Sequence, residues 1–254
     1  MDNLGHVSPC YSDFIAETMG HIPGSSYFFP DFDESDGELI KKVQPFTRST
    51  PERIYALIKA VEYVVKSSIL GDIVECGVWK GGSVVVIAET LLKLKETNRN
   101  LYLFDTFEGM TKPTEEDISY KDERASDLLA EEIDREGIGS VSSYAPLDQV
   151  KQVVLSTGYD PSKVHFVKGR VEDTIPKEAP DTISLLRLDT DWYASTLHEL
   201  MYLFPCLSQN GVLLIDDYGH WRGSKKATDE YFQKHNMNLL LNRIDYSARI
   251  AIKP

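Results

Sequence analysis

The sequence predicts an α/β protein: a seven-stranded, mostly parallel sheet with helices on both faces, closed by an antiparallel hairpin. Three observations predict it. Apolar runs of strand length alternate with stretches of helical period, the pattern of repeated strand–helix–strand units. The clearest unit is residues 183–218, ISLLRLDTDWYASTLHELMYLFPCLSQNGVLLIDDY, where two apolar strands flank one helix and each strand ends in acids. The last two apolar runs, LLLNRID and ARIAIK, are joined by only Tyr246 and Ser247, and so short a connection forces an antiparallel pair.

Taken in order, residues 1–47 mix Gly, Pro, Ser and aromatics without period and read as an extended arm that packs on a neighbour or covers a site. The single domain is residues 48–254. It opens with STPERIYALIKAVEYVVKSS, a helix in which Ser49 or Thr50 caps, Pro51 takes the first position and Glu52 closes a capping box. Residues 72–76 form a first strand, 77–82 a glycine-rich turn, and a helix runs from Ser83 onward. Glycines let a backbone approach a ligand, and a helix N-terminus offers unpaired N–H groups. The turn lacks the Lys placement of a P-loop and the GxGxxG of a dinucleotide site. The second strand, LYLFDTF, ends in Asp105, about 20–30 residues beyond the turn, where α/β folds hold a ribose diol.

An acidic insertion follows at about residues 108–147, read as a lid with one helix; residues 108–136 alone carry eleven acids against four bases. A helix at 148–158 closes on Gly158, and VHFVKGR is the third strand, with Arg170, Glu172 and Asp173 at its carboxyl edge. In the central unit, Thr196 and Glu199 read as a T-x-x-E capping box that starts the helix.

The chemistry gathers at the strand ends. Asp189, Asp191, Asp216 and Asp217 stand at the carboxyl ends of two consecutive strands, where open α/β sheets bind ligands. Crowded carboxylates repel unless a positive charge lies between them, and hard divalent cations take such oxygen ligands. Asp189 and Asp191 share a face by the period of two; Asp216 and Asp217 face one ion together only where their strand has already ended. Glu75, at the end of the first strand, repels a pyrophosphate but suits a cationic ligand.

Composition limits the partners. A net charge of −13 argues against nucleic acid and against an anionic membrane surface. No apolar run reaches the roughly 20 residues that span a bilayer, and MDNLGHVSPC lacks the basic region and apolar core of a signal peptide, so a cytoplasmic location is expected. Cys10, Cys76 and Cys206 are too few and too scattered for a disulfide framework.

The runs VECGVWKGGS, YLFDTFEGM, LDTDWYAST and LLIDDYGHW together resemble the macrocin O-methyltransferase (TylF/NovP-like) family of class I S-adenosylmethionine-dependent methyltransferases, over about residues 48–254. The resemblance implies the Rossmann-like fold of that class and a metal-dependent O-methylation of a sugar or phenolic hydroxyl on a secondary metabolite. It places Mg²⁺ on Asp189, Asp216 and Asp217 and makes Asp191 the general base, with His198 and His220 in reserve. Glu75, Gly77, Gly81 and Ser83 would surround the methionine part of S-adenosylmethionine, Asp105 the ribose, and Gly169, Arg170, Glu172 and Asp173 the adenine. A small-molecule acceptor with a free hydroxyl and a homodimer are expected. The competing reading is a metal-dependent glycosyltransferase with its own DxD; it accounts for Asp189 and Asp191 but leaves Glu75, Asp105 and the hairpin unexplained.

Overall fold

The computed structural model describes residues 31–134 and 143–254. Residues 1–30 of the N-terminal arm and 135–142 of the acidic insertion therefore lie outside the described residues. Five parallel strands, β1 (Asp72–Cys76), β2 (Leu101–Asp105), β3 (Val164–Lys168), β4 (Ile183–Leu188) and β5 (Leu207–Ile215), are followed by β6 (Asn242–Arg243) and β7 (Arg249–Ile252). They form one sheet in the order β3-β2-β1-β4-β5-β7-β6, with β7 antiparallel to β5 and to β6. The expected sheet, its closing hairpin included, is the observed one. Among the described residues no helix is long and apolar enough to cross a membrane.

Helices cover both faces because successive strand side chains point to opposite sides. On one face α1 (Glu34–Val43), α2 (Pro51–Lys66), α3 (Gly82–Lys93) and α5 (Leu147–Leu155) pack on Ile73, Leu101, Leu103, Leu185 and Leu214. On the other, α6 (Val171–Thr174), α7 (Tyr193–Leu203) and α8 (Arg222–Lys234) pack on Val74, Cys76, Phe104, Leu186 and Leu213. The insertion carries α4 (Ala125–Asp134) and a small cluster of its own, Ala125 against Trp192 and Trp221.

Two local expectations give way. Part of the arm is helical: α1 buries Ile40 and Val43, too few apolar positions for a period to be visible in the sequence. The box at Thr196 and Glu199 does not start α7, which begins three residues earlier at Tyr193 with no cap from its own N-cap residue. Instead Asp117 Oδ1, from the insertion, accepts from the Tyr193 N–H at 2.7 Å. At α2 the cap is Thr50, whose Oγ1 accepts from Arg53 N, so Glu52 falls one position short of a box.

Sheet order reverses between β1 and β4, and ligands of such sheets bind outside the strand ends at that point. The register there pairs Glu75 with Arg187, and Arg187 with Leu214. Glu75, Arg187, Asp189 and Asp216 therefore fall on the face that α2 covers.

Candidate active site

Arg187 is the hub of the switch point. Only 4% exposed, it donates from Nη1 to Glu75 Oε1 (2.5 Å) and Asp189 Oδ2 (2.7 Å), and from Nη2 to Asp216 Oδ1 (2.7 Å). A second guanidinium, Arg53 of α2, donates to Asp216 Oδ2 at 2.6 Å and to Asp245 Oδ2 at 2.7 Å. Asp245 in turn holds the hairpin, accepting from Ser247 N and Ala248 N through Oδ1. Both oxygens of Asp216 are thus occupied by arginines. Burial pushes its carboxyl upward, but Arg53 and Arg187 outweigh that and hold it below the usual carboxylate range.

Asp189, Asp191 and Asp217 behave differently. Each offers an oxygen, and the three lie within 4.8 Å of one another. The Asp191 N–H donates to Asp217 Oδ2 at 3.3 Å, and Asp191 sits in the left-handed region at φ 65°. Burial raises all three carboxyls, Asp191 to about 7, and mutual repulsion adds to it. Strand β5 ends at Ile215, yet Asp216 and Asp217 still diverge, the first to the arginines and the second to Asp191. The set of carboxylates that converges is 189, 191 and 217, with Asp216 behind it.

The neighbouring half of the edge carries the glycine turn. A Cβ on Gly77 (φ 84°) would lie 1.9 Å from the Asp189 carbonyl oxygen, so glycine is required there by the acidic turn itself. Asp105 Oδ2 accepts from Val78 N (2.7 Å) and Trp79 N (2.9 Å), and Oδ1 from Phe107 N (2.7 Å). Asp105 therefore shapes the turn that the sequence reading assigned to the cofactor. Gly81 (φ 86°) caps α3, and Ser83 stands in its first turn. Gly169 N donates to the Asp105 carbonyl, which brings Gly169, Arg170, Glu172 and Asp173 to the same rim. Glu75 is 1% exposed, and burial lifts its carboxyl to about 7 against the pull of Arg187. Its Oε2 is buried without a close hydrogen bond among the described residues, although the Ser83 side chain helps to hold the charged form. A buried acceptor of this kind suits a cationic ligand such as the methionine part of S-adenosylmethionine. The three convergent carboxylates suit a hard divalent cation.

The reserve histidines have other partners. His198 Nε2 lies 3.0 Å from the Ile175 carbonyl, and His220 Nδ1 3.0 Å from the Tyr246 hydroxyl. Burial, then Arg53, lowers the His220 pKa. Sequence reasoning missed Arg187, Arg53 and Asp245. A signal existed for Arg187: it is the one charge in the apolar run ISLLRL, all six residues of which are buried.

A carboxylate-lined switch point beside a glycine turn on this sheet fits a class I S-adenosylmethionine-dependent O-methyltransferase, and the relatives of this chain place it in that class. The chain belongs to the macrocin O-methyltransferase (TylF) family, whose model matches residues 43–251. It is 29% identical over 243 residues to the 8-demethyl-8-(2,3-dimethoxy-alpha-L-rhamnosyl)-tetracenomycin-C 4'-O-methyltransferase of Streptomyces olivaceus, covering 92% of this chain and 89% of that one. It is 28% identical to the demethyldecarbamoylnovobiocin O-methyltransferase of Streptomyces niveus, covering 94% and 91%. The structure of the O-methyltransferase NovP matches with a TM-score of 0.70 at 27% identity, covering 82% of each chain.

Proposed function

We propose that this protein transfers a methyl group from S-adenosylmethionine to a sugar hydroxyl of a natural-product glycoside, with Asp191 as general base beside a divalent cation. The observation that carries the reading is the convergence of Asp189, Asp191 and Asp217 next to the Glu75 turn. Relatives whose names specify a rhamnosyl tetracenomycin and a mycinamicin 3''-hydroxyl support the glycoside class.

S-adenosylmethionine supplies an already activated methyl group. The protein must therefore bring donor and acceptor together, which can be worth several kcal/mol, about 7–11 at best, and remove the hydroxyl proton. A cation held by Asp189 and Asp217 would supply Lewis-acid stabilisation of the developing alkoxide. The family resemblance implies Asp216 as a further ligand. With both oxygens on guanidiniums, its role in this proposal is to anchor Arg53 and Arg187. Asp191, lifted to about 7, is near the pKa at which a base works best in neutral solution. Glu75 would hold the cationic end of the donor, in the turn that Asp105 fastens through Val78 N and Trp79 N.

The test joins binding to turnover. S-adenosylhomocysteine should raise the melting temperature and UDP should not; the reverse would point to glycosyl transfer. Methylation of rhamnosylated polyketides should need added Mg²⁺ after EDTA treatment. Asp191→Asn should keep S-adenosylhomocysteine affinity while turnover falls at least about a hundredfold. Near-normal turnover in that variant would move the base elsewhere, with His220 the first suspect.

A further inference from the structure

Glu199 takes no part in the chemistry above, yet it is a carboxyl with 0% exposure in the middle of α7. An apolar side chain would fill such a place at far less cost, because a buried acid gives up its hydration. The Cys76 thiol and the Glu172 carboxylate lie near it, and its one close hydrogen bond points to the acidic turn. Thr190 Oγ1 donates to Glu199 Oε1 at 2.9 Å, while Oε2 is buried with no hydrogen-bond partner among the described residues. Thr190 is the residue between Asp189 and Asp191, and its side chain points away from theirs, toward α7.

The rest of that turn is held by its backbone. Asp189 N donates to the Cys76 carbonyl, and the Thr190 carbonyl accepts from Trp192 N (2.7 Å) and Ser195 Oγ (3.3 Å). Asp191 stays at φ 65°, a left-handed conformation that Asp accepts more readily than most non-glycine residues and that the contacts of the turn hold in place. A rotation of the 190–191 peptide would carry the Asp191 N–H off Asp217 and turn its carboxylate away from the other two.

We infer that Glu199 is a positioning residue: through the Thr190 hydroxyl it sets the peptide between Asp189 and Asp191, and so aims both carboxylates at the place they share with Asp217. The inference rests on the proposed roles of those acids. Burial, with the Thr190 hydroxyl opposing it, keeps the Glu199 carboxyl well above its ordinary pKa, so a glutamine offers the same shape and the same acceptor.

The experiment compares Glu199→Gln, Glu199→Leu and Thr190→Val with the wild type for Mn²⁺ affinity, S-adenosylhomocysteine affinity and melting temperature. Glu199→Gln should bind Mn²⁺ like the wild type. Glu199→Leu and Thr190→Val should bind it about 10–100-fold more weakly, the scale for groups that orient metal ligands, with S-adenosylhomocysteine affinity unchanged. Unaltered Mn²⁺ affinity in Thr190→Val overturns the inference. So does a parallel loss of both affinities and of stability, which marks a role in folding alone. If the wild type binds no Mn²⁺, the metal reading fails instead, and a crystal structure of Thr190→Val decides the positioning role. Departure of Asp191 from the left-handed region supports it, and an unchanged 189–191 backbone overturns it.

Discussion

Arg187 contacts three carboxylates from a side chain that water barely reaches. Such an arrangement is weak evidence for stability, since desolvating the ions offsets much of their attraction, but removing one partner leaves charges buried alone. Arg187→Leu should therefore destabilise the protein by about 3–5 kcal/mol in urea unfolding, the usual scale for a broken buried pair. A smaller loss would show that water enters to solvate Glu75 and Asp216. Gly77 is a second residue whose role is local and steric. Gly77→Ala adds a Cβ on top of the Asp189 carbonyl and forces alanine to φ 84°. Strain of that kind costs about 1–3 kcal/mol, and relief would push the acidic turn away from β1. The expected outcome is a drop in urea midpoint together with weaker Mn²⁺ binding. Unchanged values for both would mean that the turn yields freely.

Among the elements, the acidic insertion is the one whose expected role as a lid stays a proposal, since residues 135–142 of it lie outside the described residues. A lid was expected, with the motive of length, charge and weak period. The described part is fastened along its course. Trp192 Nε1 donates to the Thr111 carbonyl, Tyr120 N to the His220 carbonyl, Arg222 N to the Ile118 carbonyl and Ala125 N to the Asp117 carbonyl. Asp117 also caps α7 from 76 residues away, a pairing that no window of local sequence contains. The amides of Ser119, Tyr120 and Ala125 should be protected from hydrogen exchange in the protein without ligands, because each is bonded within this docked segment. Exchange there at the rate of an unstructured chain would support a mobile lid over this stretch. The capping box at Thr196 failed for a related reason: the motif is local, but Glu199 found its partner in the preceding turn once α7 had started earlier.

At the scale of the whole molecule, the four strand-end aspartates divide into two groups with opposite pH behaviour. Asp189, Asp191 and Asp217 have higher pKa values in the fold than in the unfolded chain, so the folded protein binds the extra protons. Their contribution favours folding below about 4 and is lost as pH rises through about 7, the value for Asp191. Asp216, held low by Arg53 and Arg187, works the other way: its contribution is present above about 4 and lost as pH falls below it. Mg²⁺ should relieve the first group where it is ionised. The melting temperature should rise with Mg²⁺ by several degrees at pH 8 and by much less at pH 5, checked by calorimetry. Equal shifts at both pH values would place the bound ion elsewhere.

By itself the sequence determined the sheet, its closing hairpin, the glycine turn and the four strand-end aspartates. These follow from side-chain period, turn length and the rule that ligands meet the carboxyl edge, all of which are local or nearly so. The tertiary structure alone decided which acid met which cation. Asp216 pairs with Arg53 across 163 positions and with Arg187 across 29, and those pairs depend on strand register and on where α2 lies. One step along the chain turns a side chain to the opposite face, so Asp216 joined the arginines while Asp217 joined Asp191.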